Sequence, residues 1–274
     1  MKKILLAFDG SRFSEGAFEL ARWLNNLQPV FLTGVFIPQI SYANLWSYSS
    51  AMAGAPFIPI MEKESEDHIQ ENIKRFQSLC QLHNINYSIH KDFYNFALPE
   101  LKRETRFADL LIISSEAFYK NITGEDNSDY MKDALHTAEC PVIVVPEKYA
   151  FPQKNILSYD GSESSVFAIK QFAYLFPELC KNKSYLLFIN AEKGTTIPDE
   201  KYITELVQQH FSDISIQKLD MHPKEFYSKW VSENTDTLLV SGSFSRSVFS
   251  QLFRKSFAAK IIAEHALPVF IAHK

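Results

Sequence analysis

One phrase occurs twice in this chain and limits what the chain can fold into. Near the start, Lys3-Ile4-Leu5-Leu6-Ala7-Phe8 runs into Asp9-Gly10-Ser11, with Ser14 three residues on. In the middle, Asn155-Ile156-Leu157-Ser158-Tyr159 runs into Asp160-Gly161-Ser162, with Ser165 three residues on. Each copy is a short apolar run, then Asp-Gly-Ser, then an apolar-periodic segment. That pattern describes a buried parallel strand turning into a helix. The glycine permits the tight turn, and Ser14 and Ser165 stand where a helix cap or first turn belongs. A carboxylate at the C-terminal end of such a strand lies where open α/β sheets bind ligands, which makes Asp9 and Asp160 candidate site residues. An aspartate that merely caps its own turn fits the same local sequence.

The remainder of the chain repeats around these two landmarks. The first half reads as strand 2–8, helix 14–27, strand 29–36, helix 61–82, strand 87–92, helix 97–107, strand 110–114, helix 130–137 and strand 142–145. The second reads as strand 155–158, helix 164–176, strand 185–190, helix 199–210, strand 214–219, helix 223–233, strand 237–241, helix 256–265 and strand 268–272. Pro141 follows Asp9 by 132 positions, and Pro268 follows Asp160 by 108. The difference, 24, equals the length of residues 37–60, an aperiodic and almost uncharged stretch with Tyr42, Trp46, Tyr48 and Met52. The chain is therefore a tandem duplication whose first copy carries an insert. Such a stretch suits a lid or an interface, or folds back on its own core. Strands alternating with helices imply parallel sheets with right-handed crossovers and helices on both faces. The expected domains are 1–147 and 153–274, joined by a short Pro-containing link.

Composition removes several function classes. The 274 residues are 46% hydrophobic and 22% charged, enough for a packed core. A net charge of −4 supplies no general attraction to nucleic acid or an anionic membrane. Three scattered cysteines, Cys80, Cys140 and Cys180, fit neither a disulfide framework nor a zinc site and suit a reducing compartment. The opening apolar run is too short for a signal core, and no run spans a bilayer, so a cytoplasmic protein is expected. No His-Glu-x-x-His or Gly-x-Ser-x-Gly motif occurs. No catalytic residue and no metal ligand stands out.

Three features together carry a resemblance: an Ile-Leu run into Asp-Gly-Ser opening each half, Gly242 after a fourth strand, and Pro-Val or Pro-Val-Phe closing each half. The chain resembles a tandem universal stress protein over essentially its whole length. The resemblance implies two Rossmann-like α/β domains, each with a five-stranded, mostly parallel sheet of order 3-2-1-4-5. It also implies that fifth strands pair, as they do between subunits of family dimers. In the ATP-binding branch, the aspartate after strand one contacts the nucleoside, and Gly-x2-Gly-x9-Gly-Ser after strand four holds ribose and phosphates.

In the second half this motif keeps its spacing. Gly242 and Ser256 hold the first and last positions, Ser245 and Lys255 replace the inner glycines, and Ser243 and Arg246 lie between. Glycines let backbone amides approach phosphate, and the closing serine opens a helix whose N-terminus favours an anion. By resemblance, Asp160 would accept from the nucleoside, Ile189 would meet the base, and Ser256 would bond phosphate. A solvated helix start with ordinary surface charge fits the same residues. In the first half the aligned positions are Ser114, Ala117 and Ser128, and the glycines are gone. Glu116, Glu125, Asp126 and Asp129 make that stretch acidic, so Asp9 is expected to be a structural remnant.

The expected function is that of a universal-stress-type regulatory protein, with ATP and Mg²⁺ as the cofactor expectation for the second domain only. One alternative is an interaction or small-ligand module without nucleotide, using a protein partner or self-association. Another is a weak ATPase or nucleotidyl transferase, which no positioned base or metal ligand supports.

Overall fold

The computed structural model describes residues 1–8, 12–37, 63–91, 97–116, 127–190, 194–220, 230, 234–242, 258, 261, 262 and 264–272, with backbone alone at 63–65, 97, 127–130 and 132. The chain divides into two compact units, Met1–Cys140 and Pro141–Lys274.

Unit 1 contains β1 (Lys2–Phe8), α1 (Glu15–Leu27), β2 (Val30–Phe36), α2 (Lys63–Leu82), β3 (Asn86–Lys91), α3 (Ala97–Thr105), β4 (Leu110–Ser114) and α4 (Asn127–Thr137). Its strands run parallel in the order β3-β2-β1-β4. β1 is central, which is why Ile4, Leu5 and Leu6 are completely buried. Helix α1 starts at Ser14, whose Oγ accepts from Ala17 N at 3.2 Å. It buries Ala17, Leu20, Ala21 and Leu24, the face expected from the 3.6-residue period. Helix α2 buries Ile69, Ile73 and Phe76 as expected. Cys80 is buried on the same helix, while Leu79 is only half-buried.

Unit 2 contains β5 (Val142–Val145), β6 (Lys154–Tyr159), α5 (Glu163–Leu175), a 3₁₀ turn (Leu179–Lys181), β7 (Lys183–Ile189), α6 (Glu200–His210), β8 (Ile214–Leu219), β9 (Thr237–Gly242) and β10 (Val269–Ala272). The strand order is β5-β10-β9-β6-β7-β8. The expected 3-2-1-4-5 order is complete here, as β8-β7-β6-β9-β10. In unit 1 it runs only 3-2-1-4. The fifth strand of the first half, β5, lies in unit 2 and pairs antiparallel with β10, Val144 opposite Val269 and Val142 opposite Ile271. This pairing satisfies backbone groups that β10 would otherwise leave open as an edge. β5 therefore belongs to the unit that begins at Pro141.

Phe172 of α5 and Phe176, which ends the helix, pack against Phe270 of β10, with ring centroids 5.4 and 6.0 Å apart. Beneath the N-terminal ends of the strands, fully buried Asn155 donates through Nδ2 to Leu179 O (2.8 Å) and Ser184 Oγ (2.9 Å), tying the 3₁₀ turn to β6 and β7. The sequence periodicity did not indicate this turn. The helix expected at 223–233 lies outside the described residues apart from helical Trp230. Of the helix expected at 256–265, Ala258, Ile261 and Ile262 are helical, whereas Glu264 and His265 form a turn, His265 with φ +50°, so the helix ends earlier than expected. The insert lies outside the described residues except for Ile37, which is buried.

Candidate functional site

Register brings the second-half candidates to one edge of their sheet. Tyr159 of β6 lies opposite Phe188 of β7, so Asp160 and Ile189 follow side by side. Leu157 lies opposite Val240 of β9, so Gly242 ends its strand at the same edge. This is the C-terminal edge of the parallel strands, where α/β crevices form.

The Asp-Gly-Ser turn serves its own helix first. Asp160 Oδ1 accepts from Ser162 N at 2.9 Å, an Asx-turn. Gly161 has φ +83°, a left-handed value that suits glycine. Ser162 then caps α5: its backbone is extended and its Oγ accepts from Ser165 N at 3.2 Å. Ser165 sits within the first turn and donates through Oγ to Ser162 O at 2.8 Å. Asp160 remains exposed. The Asp160 carboxylate thus holds its own turn and still reaches solvent. Oδ1 holds the turn, and among the described residues Oδ2 has no hydrogen-bond partner.

Gly242 has a packing reason for its residue type. A Cβ there would lie 2.5 Å from Ser164 C, 2.6 Å from Ser165 N and 2.7 Å from Ser164 O. The end of β9 therefore abuts the backbone of the first turn of α5. Of the other second-half candidates, Ile189 is half-buried at the end of β7, while Ser243, Ser245, Arg246, Lys255 and Ser256 lie outside the described residues.

Residues not singled out in the sequence shape the same edge. Tyr159 Oη donates to Pro198 O at 2.8 Å. The Pro198 ring sits over Gly161, where a Cβ would come within 2.7 Å of Pro198 Cβ. Burial raises the Tyr159 pKa above its ordinary value, and the carboxylates of Asp199 and Asp160 raise it further. Two exposed acids therefore stand near one phenol at the β6 end of the crevice, which disfavours phosphate there. Among the described residues, no group of three or more His, Cys, Asp or Glu could hold a metal ion.

Unit 1 carries a cluster of rings at the ends of β1 and β2. Phe8 and Phe36, opposite each other at the ends of β1 and β2, stack with centroids 4.7 Å apart. Phe13 stacks on Phe8 at 5.0 Å, and the Arg75 guanidinium lies over Phe13 at 4.9 Å while pairing with Glu15. Phe13 stands four residues after Asp9; the residue four after Asp160 is Ser164. Phe13 could be seen in the sequence, but its stacking partner Arg75 is 62 positions away. Ser114 is buried at the end of β4, where its Oγ accepts from Glu116 N at 3.3 Å. The helix after β1 also starts three positions later, relative to the aspartate, than the helix after β6. Serine in place of glycine at the end of β4 accompanies that later start. Asp9, Ala117 and the side chain of Ser128 lie outside the described residues.

All three cysteines are buried, and burial pushes each thiol up to about 12, so none is a ready nucleophile. No helix among the described residues is long and apolar enough to cross a membrane.

No protein-family model and no curated protein sequence matches the chain. Solved structures do match. A universal stress protein from Archaeoglobus fulgidus DSM 4304 superposes with a TM-score of 0.70 at 14% identity, covering 99% of this chain and 98% of that one. A putative universal stress protein from Pseudomonas aeruginosa UCBPP-PA14 gives 0.53 at 10% identity, over 100% and 93%. A functionally unknown protein from Pseudomonas aeruginosa PAO1 gives 0.54 at 11% identity, over 100% and 92%. Across nearly its whole length, this chain has the fold of the universal stress proteins.

Proposed function

We propose that this chain is a universal-stress-type regulatory protein whose ligand site lies in unit 2 and takes a nucleotide, with Asp160 accepting from the nucleoside. The observation that carries the reading is the Asp160 carboxylate. It is exposed at the C-terminal edge of the sheet, oriented through Oδ1 by its own turn, with Oδ2 open to a ligand hydroxyl or amine. A preoriented ionised acceptor of this kind contributes about 1.5–3 kcal/mol to binding. Asp9, the matching residue of unit 1, lies outside the described residues, and the acidic stretch after β4, which lacks the motif glycines, favours unit 2 as the nucleotide domain. The phosphates would have to lie on the Gly242 side, away from Asp160 and Asp199.

Calorimetric titration of the full chain with ATP and Mg²⁺ tests this. Binding should weaken about tenfold or more in Asp160→Asn. No heat at millimolar ATP overturns the nucleotide reading.

The second reading is a binding module without nucleotide, and one observation favours it. The amides of Ser162 and Ser165 are occupied by Asp160 Oδ1 and Ser162 Oγ, and the gap at Gly242 is filled by Ser164. Turn and strand end are thus satisfied without a ligand. Absence of heat with every adenine nucleotide supports this second reading.

A further inference from the structure

Residues 194–199, which lead into α6, are fastened to the turn that carries Asp160. Tyr159 donates to Pro198 O, the Pro198 ring rests on Gly161, and Ile197 is buried. Both ends of the segment are left-handed. Gly194 has φ +85° in open space, and Asp199 has φ +48°, ψ +34°. Asp199 occupies the N-cap position of α6, for which aspartate is among the best residues. Capping requires extended backbone there, so that the carboxylate reaches an amide of the first turn. Here the backbone is left-handed and the side chain makes no capping bond. A suitable capping residue is thus held in a conformation that prevents capping, next to a proline docked on the neighbouring turn.

We propose that residues 194–199 form a two-state strap over the nucleoside side of the unit 2 crevice. The Tyr159–Pro198 hydrogen bond latches it, and rotation of Asp199 to extended backbone, where it caps α6, releases it. Release loses one hydrogen bond and the packing of Pro198 on Gly161, while Ile197 stays buried as the anchor of the strap in both states. It regains an N-cap and relieves a left-handed non-glycine residue. These opposing contributions are of similar size, which is the condition for a switch that a ligand can bias. Asp160 lies between Tyr159 and Gly161, the two residues that the docked Pro198 touches, so a ligand reaching Asp160 comes beside Pro198. What the strap gates rests on the nucleotide reading above; the latch itself does not.

Hydrogen–deuterium exchange on the full chain tests the strap with two variants of opposite sign. Tyr159→Phe removes the latch bond, and amides of residues 194–203 should exchange about fivefold faster. Asp199→Gly accepts the left-handed conformation freely and cannot cap the released state, so the same amides should exchange about threefold slower. General loss of stability would speed exchange in both variants, and exchange in β6 and β7 reports it separately. Unchanged exchange in Tyr159→Phe, or faster exchange in Asp199→Gly, overturns the latch. ATP titration should then show tighter binding to Tyr159→Phe and weaker binding to Asp199→Gly. Equal affinity in all three proteins overturns the strap as a gate. The expected exchange pattern with no ATP heat in any of them keeps the latch and overturns the nucleotide reading.

Discussion

Gly242→Ala isolates a purely steric role at the end of β9. The added Cβ would lie 2.5–2.7 Å from Ser164 C, Ser164 O and Ser165 N. Ordinary contacts between such atoms sit near ~3.5–4.0 Å, so β9 and α5 must separate by about 1 Å. Those neighbours are backbone atoms of a capped helical turn, and no side chain can swing aside. Overpacking of this kind typically costs about 1–3 kcal/mol, and with rigid neighbours we expect the upper end, about 3 kcal/mol. At roughly 3 °C per kcal/mol for a domain of this size, Tm should fall by about 9 °C. Gly194→Ala is the control. It also places a Cβ on a glycine, and its φ is left-handed, but nothing lies within 4 Å. Its cost is conformational only, about 1 kcal/mol. Scanning calorimetry of both variants distinguishes crowding from backbone strain. A Gly242→Ala protein melting within about 2 °C of the parent would refute the packing account. Its glycine would then require another explanation, and loss of ATP heat without loss of stability would point to the ligand.

Phe76→Ala should destabilise unit 1 by about 4 kcal/mol, because Phe76 is fully buried and meets Phe8, Phe18, Phe36 and Tyr87 edge-on; a urea midpoint corresponding to less than about 1.5 kcal/mol would contradict this. Cys80, Cys140 and Cys180, with thiols pushed up to about 12, should resist iodoacetamide at pH 8 in the native chain and all react in guanidinium. Mass spectrometry counts the adducts, and rapid native labelling would refute their inertness. The Tyr159 pKa is raised in the fold by burial, then by Asp199 and Asp160. Its stabilisation is therefore fully present below the ordinary tyrosine value and is lost as pH rises through the raised folded value. Urea midpoints between pH 8 and 11 should decline more steeply in the parent than in Tyr159→Phe, and parallel curves would argue against this linkage.

Much of the architecture could be read from the residues in order. Leu110-Leu111-Ile112-Ile113 announces β4 because a strand buried on both faces has no polar positions. Ala17, Leu20, Ala21 and Leu24 announce the buried side of α1 because a helix returns to the same face every third or fourth residue. The repeat and its insert follow from spacing alone. What could not be read is which of two eligible serines caps each helix. Ser14 caps α1, whereas in the second copy Ser162 takes that role and its counterpart Ser165 bonds back to it. Several local hydrogen-bond arrangements there are close in energy, and packing selects between them.

The candidate site divides along the same line. The sequence alone determined that the strands before Asp160, Ile189 and Gly242 end together, because alternating strands and helices make a parallel sheet; the grouping of those three residues as site candidates came from the family resemblance. The sequence also determined that the two halves are unequal, since Gly242 of the second half has Ser114 at its place in the first. Only the tertiary structure decided what each residue does at that edge. Gly242 gives room to the backbone of Ser164, Phe13 stacks with Phe8 beneath Arg75, Pro198 lies on Gly161, and β5 pairs with β10. Periodicity records which face of an element is buried, because that is a property of neighbouring residues along the chain. Which atoms fill the space against that face depends on elements far away in sequence, and distances of a few ångströms between them are not encoded in any local pattern.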